Sequence, residues 1–304
     1  MSSGTFTGSM PAIVTPMLAD GGIDFPAWAR LIEFHLGEGT PGIVIGGTTG
    51  ESPTLTDAEL RELVVTARRQ AAGRLQIIVG TGTNNTAETV RRTLWVNELK
   101  PDAQMYVTPA YNKPPQEGLY QHFAAAAAAS TVPVILYNVP PRTGVDLQPT
   151  TAARLSQLPG IVALKEAVPS IERIRELVAT CRPGFQVLSG DDPTAREAVM
   201  AGACGLISVT ANVAPKACSE LIAAALAGDR TLAAQIDERL TPLNNALFLE
   251  SNPIAVKWAL QQMGLIGGAI RLPLVPLAPA HHRTVLNALR YARVNVTAAA
   301  TSER

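Results

Sequence analysis

Eight short apolar runs rich in β-branched residues recur along the chain. They fall at residues 12–15 (AIVT), 42–45 (GIVI), 76–79 (QIIV), 104–107 (QMYV), 133–137 (PVILY), 161–165 (IVALK), 186–189 (QVLS) and 205–209 (GLISV), with starts roughly 19 to 34 residues apart. They do not alternate apolar and polar positions, which is the pattern of parallel strands covered on both faces. Between them lie stretches of helical period, among them 24–36, 57–71, 86–99, 117–130, 171–181 and 193–201. Helix start signals agree: Thr56 precedes Asp57 and Glu59, and Ser170 precedes Ile171 and Glu172. Strand then helix, eight times over, predicts right-handed crossovers and a closed (β/α)8 TIM barrel of the α/β class. An open doubly wound sheet accommodates eight even repeats less well.

The barrel is expected to occupy residues 1–228 and to end with one helix after the eighth strand. Residues 229–304 read as an appended C-terminal helical segment with patches at 232–248, 253–263 and 279–290, followed by a small, polar tail over 294–304 expected to fray.

Composition narrows the partners. In 304 residues, 25 Lys and Arg balance 25 Asp and Glu. That argues against phosphate-neutralising nucleic-acid binding and against a polybasic membrane surface. Only 16% of residues are charged while 47% are hydrophobic, the reverse of a disordered chain. The first residues lack the basic and apolar regions of a signal peptide, and no run approaches the roughly 18 apolar residues of a membrane span. Cys181, Cys204 and Cys218 form no CxxC pair and fit free thiols in a reducing compartment, so a cytoplasmic location is expected.

In such a barrel the chemistry sits at the C-terminal ends of the strands. Lys165 closes an otherwise apolar strand; desolvation disfavours a charged amine, and a partly neutral amine can attack a ketone to form a Schiff base. A lysine at a strand edge paired with Glu166 fits the same spacing. His281, His282 and the other two histidines show no ligand spacing, so surface or capping roles are expected and no metal site. The turn Gly46-Gly47-Thr48-Thr49-Gly50-Glu51 lacks the lysine of a phosphate loop. Successive amides around Thr48, Thr49 and Gly50 can instead form a nest for a small carboxylate, although the residues by themselves fit a plain glycine-rich turn better.

Together these segments resemble the dihydrodipicolinate synthase / N-acetylneuraminate lyase family of class I aldolases. The resemblance rests on GTTGES (47–52), YNKP (111–114), LYNVPPRTG (136–144), ALKEA (163–167), LSGDD (188–192), GLISVTANV (205–213) and NPIAVKWAL (252–260), in the family's order. It implies that Lys165 is the Schiff-base lysine attacking pyruvate and that Tyr137 shuttles protons. Thr48 and Tyr111 are implied as relay partners, the latter reaching into a neighbouring subunit's site. Thr49 is implied to hold the pyruvate carboxylate, and Gly190 and Ile207 to line its pocket. Arg142, in the RTG triplet that marks the synthase branch, is implied to clamp the carboxylate of a second substrate, L-aspartate 4-semialdehyde; the product is 4-hydroxy-tetrahydrodipicolinate, at the entry to lysine and diaminopimelate synthesis. Another pyruvate-dependent aldolase acting on a keto-deoxy sugar acid or hydroxy-oxoglutarate is the alternative, and a catalytically silent keto-acid-binding protein a remote one. No cofactor is implied, and the family precedent is a homo-oligomer, a dimer or a dimer of dimers. Ser52, Asn84 and Glu88 match an allosteric lysine site. Ala110, Pro53, Asp57 and Leu60 depart from that site's usual residues, so weak or absent lysine inhibition is expected.

Overall fold

The computed structural model describes residues 5–297. Its eight strands are β1 (Gly8–Pro11), β2 (Gly42–Ile45), β3 (Gln76–Gly80), β4 (Ala103–Val107), β5 (Val134–Asn138), β6 (Ile161–Glu166), β7 (Gln186–Ser189) and β8 (Gly205–Ser208). They form one sheet in the order β1-β8-β7-β6-β5-β4-β3-β2, so sequence neighbours lie side by side, and the pairs from β3 to β8 are parallel. A parallel bridge between Ala12 and Val44 joins the chain just beyond β1 to β2. This is the (β/α)8 barrel that the spacing of the apolar runs predicts.

The helices between and after the strands are α1 (Phe25–Gly37), α2 (Asp57–Ala71), α3 (Thr86–Asn97), α4 (Gln116–Ala128), α5 (Pro140–Thr143), α6 (Pro149–Ser156), α7 (Ile171–Thr180), α8 (Ala195–Met200), α9 (Pro215–Leu226), α10 (Arg230–Ala246), α11 (Ile254–Gln262) and α12 (Pro279–Tyr291). Thr56 caps α2 through a full capping box with Glu59, and the Ser170 hydroxyl accepts from the Arg173 amide at the start of α7. Both caps were legible in the sequence because the capping side chain and the first turn are neighbours.

The chain divides into two compact units, residues 5–8 with Gln76–Ile207, and Ser9–Leu75 with residues 208–297. In the first, β4 to β7 are almost wholly buried, including Ile135, Leu136, Ala163, Leu164 and Leu188. In the second, α11 stands out: every residue from Ile254 to Leu260 is buried. A helix apolar nearly all round belongs inside a protein.

Several expectations need correction. The first strand is Gly8–Pro11, not 12–15. Glycine, serine and proline are weak strand formers, which hides this strand from pattern reading. The apolar 12–15 segment is buried and stays tied to the sheet at its start, where the Ala12 amide donates to the Ser208 carbonyl (2.9 Å) and the Ile13 amide to the Val44 carbonyl (3.1 Å). It departs at Val14, whose amide donates to the Asn212 side chain (3.0 Å). The histidines are not all surface groups. His35 is fully buried against the Thr40 hydroxyl (3.2 Å), and burial pulls its pKa down to about 3. His122 is buried too and contacts the Thr86 hydroxyl (2.9 Å). The expected fraying over 294–304 fails for its first part, because the Thr297 amide and hydroxyl both donate to the Gln262 carbonyl (2.8 and 3.0 Å). Residues 298–304, like the first four residues, lie outside the described ones.

Candidate active site

Within the first unit, the register of β5 on β6 places Tyr137 opposite Lys165 and Asn138 opposite Glu166. Successive side chains on a strand point to opposite faces, so Tyr137 and Lys165 share one face while Asn138 and Glu166 share the other. On the first face the Lys165 ammonium lies 4.1 Å from the centroid of the Tyr137 ring, with each residue 6% exposed. On the second, Glu166 accepts from Asn138 (3.1 Å), from the Val168 amide (2.8 Å) and from the Arg173 guanidinium (2.9 Å). Burial pushes the Glu166 carboxyl above its ordinary range, while Arg173 and these donors work against that rise. Arg173 also binds Asp146 (2.8 Å). Glu166 is therefore the partner of Arg173, and its pairing with Lys165 does not occur. Among the described residues no carboxylate is paired with Lys165.

Gly190 follows β7 and presses on this lysine. A Cβ there would stand 2.9 Å from Lys165 Cε, closer than real Cβ atoms come, and 3.0 Å from Ala167 Cβ. A larger residue would force the lysine stem to shift. Ile207 is buried within β8.

The segments after β4 and β5 are linked to each other. Thr108 donates to the Thr143 hydroxyl (3.2 Å), and the Tyr111 amide donates to the Thr143 carbonyl (3.2 Å). Tyr111 has φ 75°, a left-handed conformation unusual for a tyrosine, and its residue surface is 91% exposed. Arg142 is exposed on the single-turn helix α5.

In the second unit, the turn after β2 carries Thr48 and Thr49. The Gly50 amide donates to the Gly47 carbonyl and the Glu51 amide to the Thr48 carbonyl, both at 3.1 Å. The nest expected from three amides thus narrows to two. Those of Thr48 and Thr49 make no hydrogen bond among the described residues, whereas that of Gly50 is spent inside the turn. The Thr49 hydroxyl accepts from the Asn252 side chain (2.9 Å).

Sequence reasoning missed what anchors this turn. Lys257 on α11, 3% exposed, is ion-paired with Glu51, and the second oxygen of Glu51 accepts from the Arg271 amide (3.0 Å). Arg271 in turn pairs with Glu59, whose carboxyl is held down to about 2, chiefly by that guanidinium hydrogen bond. A lysine in the middle of an apolar helix was the available signal.

Of the residues matched to a lysine site, Glu88 is committed to Arg91 and Arg92 on its own helix (2.6 and 3.1 Å), which hold its carboxyl down to about 2. The Asn84 carbonyl accepts from Asn112 (2.9 Å), and Ser52 opens a 3-10 turn, Ser52–Thr54.

A buried lysine near the end of the sixth strand of a (β/α)8 barrel thus lies against a tyrosine from the fifth. Residues 5–292 match the dihydrodipicolinate synthetase family, and the chain belongs to it. It is 52% identical over 287 residues to the 4-hydroxy-tetrahydrodipicolinate synthase of Methylococcus capsulatus, covering 94% of this chain and 99% of that one. Its fold superposes with a TM-score of 0.94 on the chloride-inhibited dihydrodipicolinate synthase of Acinetobacter baumannii complexed with pyruvate, at 49% identity over 96% of this chain and 100% of that one. A monomeric dihydrodipicolinate synthase variant is similar as well (TM-score 0.93, 40% identity, 95% of this chain and 98% of that one).

Proposed function

We propose that this enzyme condenses pyruvate with L-aspartate 4-semialdehyde to give 4-hydroxy-tetrahydrodipicolinate. The single observation that carries the reading is the Lys165–Tyr137 pair, buried and free of any carboxylate partner among the described residues. The Lys165 amine adds to the keto carbon of pyruvate, and water leaves as the iminium forms. The iminium is the electron sink, so a methyl proton is lost and an enamine results. No cofactor is needed. A phenol with an ordinary pKa near 10 is a poor base unless its proton is carried onward, so Tyr137 works with Thr48 and Tyr111 as a relay. The free amides of Thr48 and Thr49 hold the pyruvate carboxylate, and Arg142 takes the carboxylate of the semialdehyde, for which a planar guanidinium is suited. The enamine carbon then attacks the aldehyde. The substrate's amine closes on the former keto carbon and releases Lys165.

Borohydride added with pyruvate should leave a reduced adduct on Lys165, read by peptide mass; an unmodified Lys165 would sink the mechanism. Arg142→Ala should damage semialdehyde use far more than adduct formation.

The same reading extends to assembly and regulation. The exposure of Tyr111, a large aromatic ring, favours a second subunit covering it in a homodimer or dimer of dimers, which sedimentation of the wild-type chain and of Tyr111→Ala would test. The involvement of Glu88 with its own arginines favours weak or absent inhibition by lysine. The division into a 1–228 barrel and a 229–304 C-terminal segment is part of the same reading, supported by the left-handed Gly228 (φ 76°) between α9 and α10. No helix among the described residues is long and apolar enough to cross a membrane, and biosynthetic chemistry of this kind suits the cytoplasm.

A further inference from the structure

Nothing in the proposed chemistry uses Lys257, yet it sits in the middle of α11 where every neighbour from Ile254 to Leu260 is buried. Burial drives its ammonium below the ordinary lysine range, against the pull of Glu51. A buried ion pair is weak evidence for stability, because two well-packed apolar side chains often serve as well or better. What a charge pair adds is a fixed location for each partner.

We propose that the Glu51–Lys257 ion pair is a positioning device that holds the Thr48–Thr49 turn open for the carboxylate of a 2-keto acid. This deepens, and rests on, the role given above to that turn. The geometry runs through Glu51 itself. Its backbone is left-handed (φ 58°, ψ 37°), a conformation that a non-glycine residue keeps only when its surroundings impose it. Its side chain is gripped by the Lys257 ammonium and the Arg271 amide (3.0 Å), and its carbonyl accepts from the Thr54 amide and hydroxyl (2.9 and 3.0 Å). With Glu51 so held, its own amide points back to the Thr48 carbonyl (3.1 Å). That bond orients the Thr48–Thr49 peptide, and the Thr48 and Thr49 amides stay unspent. Asn252, a few residues before Lys257 on the same stretch of chain, fixes the Thr49 hydroxyl (2.9 Å). One segment therefore grips the turn at two successive points.

The test separates positioning from simple stability. The double variant Glu51→Gln/Lys257→Met removes both charges at similar volume and strands neither. Its affinity for pyruvate is measured by calorimetry, together with the pyruvate dependence of borohydride trapping and the two substrate KM values. We expect cooperative unfolding to persist and the pyruvate Kd and KM to rise about tenfold, as for a binding group displaced by a fraction of an ångström, with the KM for the semialdehyde unchanged. Glu51→Gln alone, which keeps the shape of the side chain, is the second variant and should shift the same way. Wild-type pyruvate affinity in a folded variant would overturn the proposal, as would loss of cooperative folding in both, since the pair would then be only a folding element. Absence of a Lys165 adduct in the wild type overturns the Schiff-base reading instead, while the pyruvate Kd still decides the role of the pair.

Discussion

Two lysines lie buried in this chain, and their surroundings are opposite. Lys257 faces the Glu51 carboxylate on a helix that is apolar all round. Lys165 faces the ring of Tyr137 and has no carboxylate paired with it among the described residues, although Glu166 is its neighbour in sequence. Lys257 is held to one partner by an ion pair, so its place is fixed. Lys165 has no such partner, and in the proposed mechanism its nitrogen is the one that adds to the keto carbon. The difference is made by strand alternation, which turns Glu166 to the far face toward Arg173, and by the α11 register, which aims Lys257 at the turn after β2. The two lysines are alike in burial and differ in having a counter-ion, which is why the proposed mechanism assigns the nucleophile to Lys165.

The sharpest way to break the contrast is Lys165→Met. It should lower kcat by at least about 10³-fold, the scale of losing a covalent nucleophile, with stability unchanged or raised, as read by urea denaturation. Lys257→Met should do the reverse for stability, losing about 3–5 kcal/mol because the buried Glu51 carboxylate loses its ammonium and keeps only the Arg271 amide. Equal denaturation midpoints for the two would erase the distinction. Gly190→Ala asks whether the room around Lys165 matters: the added methyl, 2.9 Å from Cε, should lower the rate of adduct formation about 10- to 100-fold in stopped-flow trapping.

The smallest effect concerns pH. The Glu59 carboxyl, held down to about 2 by Arg271, contributes stability that is present above its ordinary value of 4.5. That contribution is lost as pH falls from 4.5 through 2, because the unfolded chain takes up the proton first. The pair is partly exposed, so the loss should be under about 1 kcal/mol, and Glu59→Gln should flatten that part of the melting-temperature profile. The Lys165 side of the contrast has no such carboxylate, and Lys165→Met should leave the acid profile unchanged.

Element order was readable because it depends on local pattern. The run 161–165 and the start of α2 at Asp57 needed only neighbouring residues to be seen. The first strand was not readable, since Gly8, Ser9 and Pro11 have little strand preference and are held by the sheet rather than by themselves. His35 looked like a surface group for a related reason. One polar residue within a helix says nothing about what packs over it until the fold buries it against the Thr40 hydroxyl just past the helix end.

The sequence alone determined the eightfold beat, the strand-end position of Lys165 and the glycine-rich turn at Thr48 and Thr49, because each is written in contiguous residues. Tertiary structure decided the partners. Tyr137 meets Lys165 through a strand register spanning 28 residues, Glu166 turns to Arg173, and Glu51 finds Lys257 some 206 residues away. Such pairings are set by how strands register and helices pack, and no local pattern encodes a contact between residues that far apart.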